Sequence, residues 1–111
     1  MSRYYGMSVA IKGSTPSKQE KIIEAASSEW VFEDFNWLAE PKILMGQGNE
    51  FLYGGESEEE FADRLAKAIW KANGKYCEVI VTATNLENPP TEQYRLGKKE
   101  YEKLMRKKRS K

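Results

Sequence analysis

The chain has 111 residues, of which 40% are hydrophobic and 32% are charged, and its formal net charge is +1. This length predicts one domain that can build a hydrophobic core without staples. Histidine is absent, which excludes Ser-His and Cys-His nucleophile systems and every histidine metal site. We therefore expect a protein that is not an enzyme and that holds no metal and no cofactor.

Cysteine usage and hydropathy predict where the protein resides. The single cysteine, Cys77, has no second cysteine with which to form an internal disulfide. No apolar run approaches the roughly 18 residues of a membrane span, and no apolar core of a signal peptide follows Arg3. We expect a soluble, cytoplasmic protein without a membrane partner.

The first element is a strand from Tyr4 to Gly13, around which the rest of the chain is organised. Apolar side chains occupy every second position, namely Tyr5, Met7, Val9 and Ile11. Small or polar side chains lie between them, which places the two sets on opposite faces of a strand. This pattern predicts a central strand whose apolar face is covered by helices.

A helix and further strands follow. Ser17 and Glu20 form a capping-box pattern that predicts a helix to about Ser28. The aromatic run from Trp30 to Leu38 predicts a strand. Extended segments flank residues 46–49 (Gly-Gln-Gly-Asn), and the sequence leaves open whether these four residues form a bulge or a hairpin turn.

The second helix has the clearest boundaries. Ser57 and Glu60 form another capping box, glutamates fill the first turn, and Gly74 marks the end. Residues 76–84 then alternate as a strand, and residues 94–96 add a short edge pairing. Residues 99–109 read as a helix, so we expect one α+β domain over residues 1–97 and a basic C-terminal helix or tail over residues 98–111.

The element order predicts the sheet. Strand, helix, strand, strand, helix, strand is the pattern of a ferredoxin-like βαββαβ antiparallel sheet, with helices on one face and a C-terminal helical tail. The other sheet face is then bare, paired in a homodimer or covered by the tail, and the sequence does not choose among these.

Charge is distributed unevenly along the chain. Residues 1–96 contain ten Lys/Arg and fifteen Asp/Glu, a balance of −5, whereas residues 97–111 contain eight and two, a balance of +6. An acidic body with a basic tail offers two candidate interaction surfaces. The acidic and aromatic candidates are Glu33, Asp34, Trp37, Glu56, Glu58, Glu59, Glu60, Asp63 and Trp70. The basic candidates are Arg106, Lys107, Lys108, Arg109 and Lys111.

Two nucleotide-binding patterns are incomplete. Gly46-Gln47-Gly48 resembles the start of a dinucleotide fingerprint, but Phe51 occupies the third glycine position. The aromatic signature of an RNA-binding sheet is absent, and the acidic body would repel a phosphate backbone.

The chain resembles small ferredoxin-like proteins of phages and other mobile elements. The likeness rests on the opening strand, the glutamate-capped helix at Ser57 and the segment that carries Tyr94, Tyr101 and Leu104. It implies an inhibitor or regulator that docks on a larger host protein or nucleoprotein complex, as anti-CRISPR inhibitors do. The alternative is an accessory protein that binds nucleic acid through the basic tail.

Overall fold

The computed structural model describes residues 3–14, 16–38, 43–52, 57–86 and 91–106. They form an α+β fold of one sheet and three helices. The strands are β1 (Arg3–Lys12), β2 (Asp34–Leu38), β3 (Ile43–Leu52), β4 (Glu78–Asn85) and β5 (Thr91–Leu96). The helices are α1 (Gln19–Ser27), α2 (Glu58–Asn73) and α3 (Lys98–Arg106), and a single 3₁₀ turn, Pro16–Lys18, precedes α1.

All neighbouring strands are antiparallel, and their order across the sheet is β2-β3-β1-β4-β5. The first strand is therefore central, as its sequence predicts. The short edge pairing expected near Tyr94 is a full fifth strand, which pairs with β4 from Thr91 to Leu96.

The alternation in β1 separates a core face from an open face. The four apolar side chains of β1 are at most 2% exposed, and they share one core with α1 and α2. On the other face Ser8 lies between Gln47 and Thr82, and Ala10 lies between Met45 and Ile80. None of the described helices packs on this second face, where Met45 is 44% exposed.

The aromatic run begins as a crossing segment and becomes a strand only at Asp34. Residues 30–33 lie over β3 on the core face, where the indole of Trp30 donates to the Gly48 carbonyl at 2.9 Å. The backbone N–H of Glu33 donates to the Gln47 carbonyl at 2.8 Å. The prediction of a strand from Trp30 is therefore wrong for its first four residues.

Residues 46–49 form neither a bulge nor a turn. β3 is continuous, and its register with β1 holds from Arg3 opposite Leu52 to Lys12 opposite Ile43. Its glycines instead make room on the core face. A Cβ at Gly46 would lie 2.5 Å from the ring of Phe35, and one at Gly48 would overlap the backbone carbonyl of Val31.

Of the two predicted capping boxes, the one at α2 is formed and the one at α1 is not. At α2 the capping box of Ser57 and Glu60 is formed, and Gly74 ends the helix in the left-handed conformation with a φ of 83°. At α1 the capping box of Ser17 and Glu20 is absent, because a 3₁₀ turn occupies residues 16–18 and no side chain caps the helix.

Candidate functional site

The first turn of α2 places carboxylates at one end of the sheet. Ser57 accepts a hydrogen bond from the Glu60 backbone N–H at 3.1 Å, and the Glu60 carboxylate accepts one from the Ser57 N–H at 3.0 Å. The neighbouring Glu58 accepts from the phenol of Tyr5, near the start of β1. These contacts fix the helix start, and Glu59 remains exposed beside it.

Strand β5 brings a further carboxylate to the same place. Tyr94 is half-buried on the core side of β5, and its phenol donates to Glu92. Burial raises the pKa of this phenol, and the hydrogen bond and the negative charges of Glu92, Glu58 and Glu59 raise it further. Two carboxylates of α2 and one of β5 therefore act on a single hydroxyl.

Asp63 lies one turn further along α2. Partial burial raises the pKa of its carboxyl, and the charge of Glu59 raises it further, while Lys103 of α3 lowers it. We call the set of carboxylates at this end of the molecule the acidic surface. It consists of Glu58, Glu59, Glu60, Asp63 and Glu92.

Lysines gather at the other end of the strands. β1 ends at Lys12, α1 is preceded by Lys18, and α2 is followed by Lys75. Because α2 begins beside the start of β1 and ends beside the start of β4, the acidic surface and these lysines lie at opposite ends. Glu78 faces Lys12 at this second end, so both signs of charge occur there.

The structure separates the other acidic and aromatic candidates from the acidic surface. Asp34 is exposed at the start of β2, the sheet edge opposite β5, and Glu33 is exposed immediately before it. Four strand spacings, about 19 Å, separate β2 from β5. Trp37 is also on β2, half-buried opposite Leu44 and packed against the core.

Trp70 cannot serve as a surface anchor. It is 1% exposed, and its indole donates to the Cys77 carbonyl at 2.8 Å. The ring of Tyr101, from α3, packs edge-on against it with centroids 5.1 Å apart. Trp70 lies at the edge of the buried face of α2, in line with Ala62 and Ala66, and α3 covers that side of the helix.

Several candidates fall outside what the structure describes. Glu56 and residues 107–111 lie outside the described residues, so Lys107, Lys108, Arg109 and Lys111 are not located. The backbone of Arg106 forms the last residue of α3. Glu92 was not among the predicted site residues, although the alternation of β5 could have placed it on the same face as Tyr94 and Leu96.

Three further properties of the described residues concern metal binding, membrane crossing and the reactivity of the cysteine. They contain no group of three or more carboxylate or cysteine side chains arranged to hold a metal ion. None of their helices is long and apolar enough to cross a membrane. Burial raises the pKa of the Cys77 thiol to about 11, so it is protonated near neutral pH.

Comparison with known proteins gives no relative. No family model, curated protein or solved structure shows a significant match to this chain.

Proposed function

We propose that the protein acts by binding, and that its acidic surface docks on a basic surface of a larger protein or nucleoprotein complex. The observation that carries this proposal is the assembly of carboxylates from α2 and β5 around Tyr94. Two separate elements contribute to it, so the negative potential belongs to the folded surface and not to one helical turn.

Physical chemistry favours a basic partner. Surfaces that bind nucleic acid are rich in lysine and arginine, because their phosphate ligands are anionic. A protein that presents fixed carboxylates is attracted to such surfaces and associates faster at low salt. Occupying one of them would make the protein an inhibitor or regulator of a nucleic-acid-binding complex.

The detailed topology of the sheet and the biological role are also part of this proposal. We infer that β1 to β4 with α1 and α2 constitute a ferredoxin-like unit extended by β5. The position of β1 between β3 and β4, with β2 beyond β3, supports this inference. An inhibitory role against host defence, as in anti-CRISPR proteins, stays a prediction based on resemblance.

The alternative function uses the basic residues that follow α3. Nucleic-acid binding through Arg106 to Lys111 stays a prediction, because the side chain of Arg106 and residues 107–111 lie outside the described residues. Homodimerisation through the open sheet face likewise stays a prediction.

An affinity capture with matched variants tests the proposal. The tagged protein is incubated with lysate of the organism that carries its gene, with and without nuclease, and captured proteins are identified by mass spectrometry. In the test variant Glu58, Glu59 and Glu92 become glutamine, which keeps a hydrogen-bond acceptor but removes the charge. In the control variant three exposed glutamates elsewhere, Glu20, Glu24 and Glu102, become glutamine.

The proposal expects a stoichiometric protein partner that survives nuclease. The wild type and the control variant should capture it, and the test variant should not. Equal capture by the test and control variants would contradict the proposal. Recovery of nucleic acid alone, lost at moderate salt, would favour the alternative function.

A further inference from the structure

The open face of the sheet has an uncharged centre and a charged margin. Its described positions carry four charged side chains, all at the ends or edges of the sheet, namely Lys12, Asp34, Glu78 and Arg95. The residues around Ser8, in the middle of β1, are small or neutral. By contrast, about half of the residues in α1, α2 and α3 are charged. Depletion of charge at the centre and a polar rim are typical of surfaces that another protein covers.

Exposed apolar side chains also lie on this face. Among the described residues three large hydrophobic side chains are exposed, and two of them, Met45 and Leu86, lie here, each 44% exposed. Met45 belongs to a row that crosses the sheet through Ala10 to Ile80. Leu86 reaches the open face beside Gly6, because its side chain lies 3.7 Å from where a Cβ of Gly6 would be. Covering these side chains removes apolar surface from water, which favours association.

The size of the open face suits pairing with a second copy. With a strand spacing of about 4.8 Å and a rise of about 3.4 Å per residue, the five strands cover roughly 640 Å² in projection. Two such faces together bury about 1,300 Å², within the range of about 1,200–2,000 Å² that specific interfaces bury. None of the described helices occupies this face.

The charges at the two sheet edges are complementary to those of a second copy. Asp34 lies on edge strand β2, and Arg95 lies on the opposite edge strand, β5. A two-fold axis parallel to β1 places β2 of each copy over β5 of the other, so these unlike charges meet twice. Their register positions differ by two residues, about 7 Å along the strands, which a long arginine side chain spans. A two-fold axis across the strands would instead bring like edges, and therefore like charges, together.

Arg95 is free to serve such a contact. Its side chain is 62% exposed, and it donates to Glu78 of its own chain at 3.0 Å from one guanidinium nitrogen, Nη1. A guanidinium has five N–H donors, so it can hold Glu78 and a second carboxylate at once.

We propose that two copies of the chain pair through their open faces about a two-fold axis parallel to β1. Ala10 then lies on the axis, and Met45 of each copy packs on Ile80 of the other, because both side chains occupy the same level of the sheet. The two sheets stack face to face about 10 Å apart. The pairing does not depend on the proposed function. Its consequence, a dimer with both acidic surfaces at the same end that docks bivalently, rests on that function.

Analytical ultracentrifugation of the full chain tests the pairing, with concentration varied from about 1 to about 500 µM because dimers form by mass action. The disrupting variant is Met45→Glu, which places two unpaired charges in the interface. The matched control is Val31→Glu, which adds the same charge at a side chain that is 52% exposed on the crossing segment, away from the open face.

The wild type and Val31→Glu should form dimers with similar affinity, and Met45→Glu should dimerise at least about a hundredfold more weakly. A wild type that stays monomeric throughout, or equal dimerisation of the two variants, would overturn the proposal. Circular dichroism checks that both variants keep the fold.

Reversal of the edge charges tests the axis. Asp34→Arg and Arg95→Asp each bring like charges together and should each weaken dimerisation about tenfold at low salt. The double variant restores unlike pairs, so it should dimerise more tightly than Arg95→Asp alone. Both of these chains lack the contact with Glu78, so their difference reports the edge contact. A double variant no tighter than Arg95→Asp would overturn this axis.

The capture experiment, repeated with Met45→Glu, separates this inference from the proposed function. A monomeric wild type that still captures a basic partner would overturn the pairing and leave the proposed function standing. A wild-type dimer that captures no partner would leave the pairing standing and overturn the proposed function. Weaker capture by Met45→Glu than by Val31→Glu would support bivalent docking.

Discussion

Replacing Gly48 with alanine should strongly destabilise the protein, because the crossing segment leaves no room for a side chain. A Cβ at this position would overlap the backbone carbonyl of Val31, which cannot rotate away as a side chain can. The overpacking costs about 1–3 kcal/mol. The resulting displacement of the Val31 backbone also weakens the hydrogen bond from the Trp30 indole to the Gly48 carbonyl, which adds a cost of about 0.5–1.5 kcal/mol.

The matched control is alanine at Gly6, which lies on the open face of the neighbouring strand. There a Cβ would meet only side chains, Asn49 at 3.0 Å and Leu86 at 3.7 Å, and both can adjust. We expect a change within about 0.5 kcal/mol, since the added methyl group meets only side chains that can move. Urea denaturation measures both free energies of unfolding. Similar values for the two variants would refute the assignment of covered and open faces.

Three further predictions concern Trp70, Cys77 and Asp63. Trp70→Phe should lower the free energy of unfolding by about 2–4 kcal/mol in urea denaturation, because it orphans the Cys77 carbonyl and leaves a cavity; a loss below 0.5 kcal/mol would contradict the buried placement. At pH 8 a thiol with a pKa of about 11 has roughly a hundredfold less thiolate than the reference thiol with a pKa of 9.0. Iodoacetamide should therefore modify folded Cys77 about a hundredfold more slowly than the urea-unfolded chain, and equal rates would show that Cys77 is accessible. The raised pKa of Asp63 means that the folded state binds more protons than the unfolded state between the two pKa values, so this group's contribution to stability falls as pH rises through that window. Asp63→Asn should flatten the pH dependence of the free energy of unfolding there, and an unchanged profile would contradict the shift.

Local patterns predicted the elements whose partners are close in sequence. The period of two in β1 correctly identified a central strand, because a strand with one buried face must alternate. The capping box at Ser57 and the stop at Gly74 were correct because both depend on backbone geometry within a few residues.

Long-range packing accounts for what the sequence did not reveal. The glycines of β3 suggested a bulge or a turn, but they make space for the backbone of Val31, which crosses over the strand, and for the ring of Phe35 on the paired strand β2. Trp70 suggested an exposed anchor because it lies off the apolar stripe, and its cover comes from α3, about thirty residues later. Periodicity within one segment carries no information about a second segment that packs on it.

Only part of the candidate site could be predicted from the sequence. The glutamates of the first turn of α2 were selected from their sequence, but Glu92 joins them only through the pairing of β5 with β4. The separation of Glu33 and Asp34 from this surface follows from the strand order, which places β2 and β5 at opposite edges.

The most direct test of the acidic surface is the salt dependence of affinity for the captured partner. The wild type, the variant with glutamine at positions 58, 59 and 92, and the control with glutamine at positions 20, 24 and 102 are titrated between 50 and 500 mM NaCl. We expect the first variant to bind about tenfold more weakly than the control at 50 mM salt, with the difference shrinking as salt rises. Equal affinities at every salt concentration would contradict a role for the acidic surface in binding.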